Sequence, residues 1–265
     1  MPALSLTAAA EGIGLGQLLD PGYPGYWTAE CAAITGPVEV DRLADAVAAT
    51  VVDAEALHAR FPDTRSQLVD VDTAWRPEIV EVPADHGRLQ IQSMIDERLA
   101  VPAELATGPL FASTLFVTPE AVYWFIKAHH IVLDGYGYAL LYRQVSRHYN
   151  GRPVEGFGRL SEIVNDDARY RASPKADSDR EYWNRLLAGP SPTSFAAETA
   201  LPQRETLTTT IRASILDGAG PAWPHRLLAT VAAALHRRTG TATPVLGLPV
   251  SGRLGTPAAR VPGMV

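Results

Sequence analysis

The segment AHHIVLDGYG, residues 128–137, carries the side chains of this sequence that are best suited to acid–base chemistry. Two adjacent histidines, His129 and His130, are followed by Asp134 and Gly135. Imidazole accepts and releases protons near neutral pH more readily than any other side chain. A nearby carboxylate can orient an imidazole, or pair with a cation and hold a loop. The segment therefore predicts either a catalytic histidine or a structural strand end that meets a tight turn.

The residues around the two histidines indicate that they have different environments. The run VYWFI at 122–126 is apolar at every position, which predicts an interior strand covered on both faces. Neighbouring side chains on a strand point to opposite faces, so His129 and His130 cannot both face one cavity. The same geometry disfavours a metal site, because no third ligand follows at a known spacing. We expect Gly135 to adopt backbone angles that a side chain would forbid, so that Asp134 folds back toward the strand end.

The remaining pattern predicts a mixed α/β chain that surrounds this segment. Apolar residues recur at three- and four-residue steps after the motif, as expected for an amphipathic helix over 138–149. The sequence TPEA separates two strand-like runs, which predicts a hairpin. The further helices are expected at 4–19, 41–52, 88–100, 159–188 and 222–239, and the strands at 26–35, 67–72, 78–82, 110–117, 121–129, 205–216 and 243–250.

One stretch rich in Pro, Ser, Thr and Ala divides the chain. It covers residues 189–204 and predicts a linker. We therefore expect a larger lobe over 1–188, and the beginning of a second lobe over 205–265.

Composition excludes several classes of function. The 265 residues are 46 % hydrophobic and 20 % charged, with a formal charge of −6, and no cluster of Lys or Arg suggests a nucleic-acid or anionic membrane surface. The single cysteine, Cys31, excludes an intrachain disulfide and a cysteine-based zinc site. The first residues lack the charged region of a secretory signal, and no apolar run approaches the ~18 residues needed to span a bilayer. We therefore expect a cytoplasmic chain.

At the HHxxxDG motif the sequence resembles the condensation domains of non-ribosomal peptide synthetases. His129, His130, Asp134 and Gly135 match this hallmark of the family. Four further segments agree with the family in the right order. AAAEGIGLGQLLDPGYPGYWTAE at 8–30 resembles the opening motif and EALHARF at 55–61 the second, NDDARYRAS at 165–173 occupies the place of the fourth, and VLGLPVSGRLGTPAARVPGMV at 245–265 resembles the approach to the fifth. The ordered set covers the whole chain and makes the resemblance far more specific than HHxxxDG alone.

The resemblance implies a fold of two lobes like that of chloramphenicol acetyltransferase, with a tunnel between them. Two phosphopantetheine arms would enter this tunnel, one from an upstream and one from a downstream carrier protein, with an adenylation domain adjacent. The amine of the downstream aminoacyl thioester would attack the upstream acyl thioester and form an amide. The resemblance implies that His130 is the catalytic residue, that Asp134 acts structurally through an ion pair, and that Gly135 lies beside the reacting centre.

The sequence departs from the family pattern at several positions. Ala10 and Gly14 stand where the opening motif usually has Gln and an aromatic residue. The chain also ends before the family's fifth motif. We therefore expect a complete N-terminal lobe, a C-terminal lobe that has only begun, and half of the tunnel.

The second motif has His58 where the family usually has Arg, which removes one possible ion-pair partner of Asp134. Arg60 and Arg253 remain as substitute candidates. Arg253, which could hold a carboxylate or approach the phosphopantetheine, is also a candidate tunnel-lining residue.

Tyr136 and Tyr138, beside the DG turn, are the other tunnel-lining candidates.

Two other functions remain open. An epimerisation domain shares HHxxxDG and would use the histidine to abstract a proton at Cα. A non-catalytic platform would only recruit a carrier protein or a tailoring enzyme. Within the condensation family, the segments GLPVSGRLG and PGMV most resemble domains of catecholate-siderophore synthetases, which accept an aryl acyl donor.

Overall fold

The structure is a computed structural model that describes residues 3–83, 87–189, 218, 220–248 and 250–265. These residues form two compact units. One contains the described residues up to Ala176 together with Ser251–Val265, and the other contains the described residues from Asp177 to Val250. The first boundary lies at Ala176, whereas 188 was expected, and Ser251–Val265, expected in the second lobe, group with the first unit. The expected linker over 189–204, apart from Gly189, and the expected strand over 205–216 lie outside the described residues.

The first unit is built on a four-stranded sheet of β2 Trp27–Thr35, β5 Glu78–Glu81, β6 Phe111–Val117 and β7 Ala121–His129. The strands lie in the order β2-β7-β6-β5. The strand pairs are antiparallel except β5 with β6, and β6 and β7 form the predicted hairpin. In the register, Trp27 of β2 lies opposite His129 of β7, and Phe111 of β6 lies opposite Ala128 of β7. The end of β7 therefore lies between two neighbouring strands.

A second, smaller sheet has the order β1-β4-β3. Its strands are β1 Leu4–Ser5, β3 Ala59–Arg60 and β4 Ser66–Val69. The described helices are α1 Ala8–Leu19, α2 Val40–Asp53, α3 Gly87–Leu99, α4 Gly135–Tyr149, α5 Leu160–Arg171, α6 Pro174–Leu186 and α7 Trp223–Thr239. Single turns of 3-10 helix cover Pro24–Tyr26, Glu55–His58, Gly220–Ala222 and Pro257–Arg260. No helix among the described residues is long and apolar enough to cross a membrane.

Strand β7 is covered on both faces, as its apolar run predicts. On one face Trp124 and Ile126 belong to the main core, to which α2 and α4 contribute their apolar stripes. On the other face Phe125 packs with Ile91 and Ile95 of α3. Each such fully buried side chain contributes roughly 1.5–3 kcal/mol. This packing fixes the position of the strand that leads into the HHxxxDG motif.

The expected strand over 243–250 is wrong for the described residues. Residues 244–248 and 250 have no regular secondary structure. A strand requires a hydrogen-bonded neighbour, and none of the described residues pairs with this run. Apolarity alone therefore does not determine a strand here.

Candidate active site

The two adjacent histidines lie in different environments where β7 ends. The His129 N–H donates to the Leu110 carbonyl at 2.8 Å, and the His130 N–H donates to the Tyr26 carbonyl at 2.8 Å. The residue His129 is fully buried, whereas His130 is only half-buried. The chain then turns before α4 begins at Gly135.

The His129 imidazole is held inside the fold by two hydrogen bonds. Its Nδ1 accepts from the Ile131 N–H at 3.3 Å, so its Nε2 carries the hydrogen and donates to Oε1 of Gln17 at 3.0 Å. Burial, with a smaller contribution from the charge of His130, lowers the pKa of His129 to about 4. His129 is therefore neutral near pH 7.

Gln17 is the residue of this site that the sequence reading missed. It is buried on α1, and the two hydrogens of its Nε2 are shared among the backbone carbonyls of Asp20, Pro21 and Tyr23, each 3.1–3.2 Å away. These bonds turn its Oε1 toward His129. The signal in the sequence was a polar residue on the same helix face as the small residues Ala10 and Gly14, since a buried amide requires a partner.

The His130 imidazole uses one of its two nitrogens in a hydrogen bond with the described residues. Its Nδ1 lies 3.1 Å from the Leu133 carbonyl oxygen, and a carbonyl can only accept, so Nδ1 is the protonated nitrogen. No hydrogen bond to Nε2 is formed by the described residues. In the neutral ring Nε2 has a lone pair available for a proton.

Asp134 anchors the start of α4 through both carboxylate oxygens. Its Oδ1 accepts from the Gly137 N–H at 2.8 Å, which makes Asp134 the N-cap of the helix. Its Oδ2 accepts from Nε and Nη2 of Arg253, at 3.2 and 2.7 Å. Of the two candidate partners, the structure therefore pairs Asp134 with Arg253. Nη2 of Arg60 lies instead 3.4 Å from Oδ2 of Asp70.

The Arg253 guanidinium is fully buried, and all five of its N–H groups have an acceptor. Besides the bonds to Asp134, Nη1 donates to the carbonyls of Ala258 and Val261, and Nη2 donates to that of Gly263, at 2.7–2.8 Å. A buried charge requires this degree of compensation. The side chain thus faces the interior, which favours a structural role over the predicted tunnel-lining one.

The two predicted tunnel tyrosines differ in their placement. Tyr138 is buried in the main core and its hydroxyl donates to the Thr28 carbonyl at 2.8 Å. Burial raises the pKa of Tyr138, so its hydroxyl is un-ionised near pH 7, and its place in the core favours packing over the predicted tunnel-lining role. Tyr136 is half-buried, and its hydroxyl donates to the Ala259 carbonyl at 3.3 Å. A tunnel-lining role for Tyr136 stays a prediction.

The conformational role expected of Gly135 is wrong. It is the first residue of α4 and is not among the described glycines with a positive φ. A Cβ added there would meet no atom within 4 Å, so the space beside Gly135 is open. Gly137 is the position of the motif where a side chain cannot be accommodated, because a Cβ there would collide with Leu133.

His58, which stands where the family usually has Arg, forms no ion pair with Asp134. It is buried, with Nε2 3.0 Å from the Val51 carbonyl and Nδ1 accepting from the Asp72 N–H at 3.4 Å. Burial lowers its pKa. Among the described residues, no group of three or more His, Cys, Asp or Glu side chains is placed to hold a metal ion.

Comparison with known proteins places this geometry in a family. The family model described as Condensation domain matches residues 3–265. An isonitrile lipopeptide synthase from Streptomyces coeruleorubidus is 36 % identical over 283 residues, which cover 98 % of this chain and 19 % of that protein. A dimodular nonribosomal peptide synthase from Bacillus subtilis (strain 168) is 32 % identical and covers 98 % of this chain and 12 % of that protein. The chain thus spans less than a fifth of either relative.

A solved structure shares the fold. A variant of the starter condensation domain of rhizomide synthetase, in complex with C8-CoA, superposes with a TM-score of 0.91 at 31 % identity. The match covers 99 % of this chain and 64 % of that chain. The mixed α/β fold of condensation domains, like that of chloramphenicol acetyltransferase, is therefore confirmed.

Proposed function

Because this chain belongs to the condensation-domain family of nonribosomal peptide synthetases, we propose that its parent protein forms an amide between two carrier-bound substrates. An upstream carrier would present an acyl thioester, and a downstream carrier would present an aminoacyl thioester, each on a phosphopantetheine arm. An adenylation domain would load the downstream carrier. The proposal concerns the parent protein, because the chain covers only part of its relatives. The cytoplasmic location expected from the sequence stays a prediction.

The observation that supports this proposal is the half-buried His130, with Nδ1 engaged by the Leu133 carbonyl and Nε2 open. A ring fixed in this way is oriented as a base, and its lone pair is directed away from the carbonyl that holds it. Positioned proton transfer of this kind contributes typically 10²–10⁴-fold to a rate.

The proposed reaction needs one proton acceptor and no resident cofactor. The acceptor amine attacks the carbonyl carbon of the donor thioester, and a C–N bond forms. Nε2 of His130 takes the proton that the nitrogen loses. The C–S bond then breaks, and the departing sulfur of the upstream arm receives that proton, which regenerates neutral His130.

Two buried anchors hold His130 in place for this step. On the strand side, His129 is bonded to Gln17. On the helix side, Asp134 is bonded to Arg253. A catalytic side chain held between rigid elements does not need to reorganise during the reaction.

The experiment uses the parent protein with both carriers loaded, the acceptor carrying deuterium at Cα. Condensation predicts an amide product, seen by mass spectrometry, that retains the label. Loss of the label from Cα without amide formation would instead indicate epimerisation. Carrier binding with no product and no label loss would support the platform.

The donor is proposed only as an acyl thioester. The aryl donor expected from residues 245–265 stays a prediction. One relative is named a lipopeptide synthase and the solved domain is in complex with C8-CoA, so an aliphatic donor should be tested beside an aryl one. Competition between a dihydroxybenzoyl and an octanoyl carrier, read by the ratio of products, separates the two.

A further inference from the structure

A polar pocket of about 250 Å³ lies against the second half of α4, away from the His130 loop. Its walls come from three places: α4, the loop before α5 and the turn at Pro257–Arg260. All of them belong to the first unit. The charged side chains that line it are Arg143, Arg147, Arg260 and Glu155, and we call it the arginine pocket.

The arginine pocket has an excess of positive charge among the described residues that line it. Three guanidinium groups face one lining carboxylate, that of Glu155. Within the part of the chain that the structure describes, the side chains of Arg143 and Arg260 form no hydrogen bond or ion pair. Arg147 donates one bond, from Nη1 to the Pro153 carbonyl at 3.2 Å. Most of the N–H donors in the pocket are therefore available to a ligand.

Another carboxylate, that of Asp53, is bonded to two of the residues that line the pocket. Oδ2 of Asp53 accepts from Nε2 of Gln144 at 2.8 Å and from the Phe157 N–H at 2.7 Å. These two bonds fix Gln144 and Phe157 in the pocket wall, and no hydrogen bond or ion pair joins Asp53 to a pocket arginine among the described residues. Planar guanidinium groups with free N–H pairs match the oxygens of a phosphate group.

The arginine pocket is aligned with the candidate active site. Arg143 and Arg147 follow Tyr136 at steps of seven and four residues, so the three lie in one stripe along α4. At 1.5 Å per residue, Arg143 and Arg147 lie roughly 12 and 18 Å along the helix from Gly135. Arg260 directly follows Ala259, whose carbonyl accepts from the Tyr136 hydroxyl.

We propose that the arginine pocket holds the phosphate of a phosphopantetheine arm whose thioester lies at His130. An extended phosphopantetheine chain is about as long as four to five peptide residues, or roughly 15 Å, which matches the distance along α4. The stripe beginning at Tyr136 gives the arm a path from phosphate to reacting centre. This assignment rests on the proposed function, since it takes the arm from a carrier protein.

Binding to the full 265-residue chain tests the assignment with three probes. They are 4′-phosphopantetheine, pantetheine without the phosphate, and inorganic phosphate, each titrated by calorimetry at low salt. We expect 4′-phosphopantetheine to bind at least about tenfold more tightly than either fragment, because each fragment fills only part of the path. Equal affinity for 4′-phosphopantetheine and pantetheine would overturn the proposal. Equal affinity for 4′-phosphopantetheine and inorganic phosphate would reduce the pocket to a general anion site.

Variants assign the effect to the pocket. The exposed pair Arg143→Ala and Arg147→Ala, combined, should remove the preference for the phosphorylated arm. The matched control combines Arg65→Ala and Arg88→Ala, which change the net charge equally at exposed positions outside the pocket. Glu155→Gln should tighten binding, because it removes the opposing carboxylate. A loss of preference in the control pair as large as that in the pocket pair would contradict a specific site.

The binding test and the activity test fail independently. His130→Ala should bind 4′-phosphopantetheine with unchanged phosphate preference while forming no amide. If the wild-type parent formed no amide but the chain kept its preference for the phosphorylated arm, the proposed reaction would be contradicted and the proposed phosphate site would stand. If the parent formed the amide but the chain showed no preference for the phosphorylated arm, only the proposed phosphate site would be contradicted.

Discussion

Two neighbouring histidines, one at the end of β7 and one in the turn that follows, are placed for different tasks. His129 is fully buried, and its two nitrogens are bonded to Gln17 and to the Ile131 N–H. His130 is half-buried and uses only Nδ1, on the Leu133 carbonyl. The two rings therefore carry their hydrogen on opposite nitrogens. The comparison shows that the hydrogen-bond partners of each imidazole, rather than the residue type, determine whether a histidine has a structural role or is available as a base.

The anchors on the two sides of this turn also differ in kind. On the strand side the support is neutral, an amide bonded to an imidazole. On the helix side it is ionic, with Arg253 fully buried against Asp134. A neutral hydrogen bond is lost at modest free energy, whereas an uncompensated buried charge destabilises strongly. The predictions below test this difference, from the largest effect to the smallest.

The largest effect is expected at His130 itself. In the parent protein, His130→Ala should lower the rate of amide formation by about 10²–10⁴-fold, because Nε2 no longer takes the proton. His129→Ala should instead lower the fraction of folded protein, with the rate per folded molecule changing much less. The measurement is product formation normalised to folded protein by circular dichroism. A folded His130→Ala protein with near-normal rate would contradict the division of roles.

The next effect is on the free energy of unfolding at the ionic anchor. Arg253→Ala leaves the Asp134 carboxylate without its partner and should destabilise by about 3–5 kcal/mol, measured by urea unfolding. Arg60→Ala is the matched control, since the exposed Arg60–Asp70 pair contributes only about 0–1 kcal/mol. Similar losses in both variants would show that Arg253 is not a buried anchor.

A smaller loss is expected at the neutral anchor. Gln17→Ala leaves the buried Nε2–H of His129 without an acceptor and should lower the free energy of unfolding by about 1–3 kcal/mol. The control is Leu19→Ala on the same helix, because Leu19 is 89 % exposed and surface changes stay within about 0.5 kcal/mol. If Gln17→Ala behaved like Leu19→Ala, the Gln17–His129 bond would carry no stability.

The smallest effect is a dependence of stability on pH that comes from His129. Its pKa in the folded protein is lowered to about 4, below the unfolded value near 6.5, so the unfolded state binds the proton first as pH falls. Stability from this residue is complete above pH 6.5 and is lost as pH falls toward 4, by about 1.4 kcal/mol per pH unit. Urea unfolding at pH 7.0 and 5.5 should show a shallower loss in His129→Gln than in wild type. Identical slopes would show that His129 is not buried in its neutral form.

The sequence predicts much of the frame around this site, because the frame follows local patterns. The apolar run of β7, the hairpin and the amphipathic stripe of α4 are observed near their expected bounds. The run near 243–250 fails as a strand because pairing depends on a neighbour that periodicity cannot supply.

The partners of the motif can be predicted only in part, because the sequence offers Arg253 as one of two candidate partners of Asp134 and does not identify Gln17. Gln17 is separated from His129 by 112 residues, and Arg253 from Asp134 by 119. Such contacts depend on tertiary packing and leave little local signal. The expectation of an unusual backbone angle at Gly135 is wrong because α4 begins with Asp134 as its N-cap, and this start requires no positive φ at Gly135. The need for glycine two residues later, at Gly137, comes from the packing of Leu133.

The most direct test of the division between the two histidines is the state of their rings in solution. Nitrogen-15 NMR of the histidine side chains near pH 8, assigned with His129→Gln and His130→Ala, identifies the protonated nitrogen of each neutral ring. The structure predicts hydrogen on Nε2 for His129 and on Nδ1 for His130. A hydrogen on Nε2 of His130 would leave no lone pair facing the substrate and would contradict its role as the base.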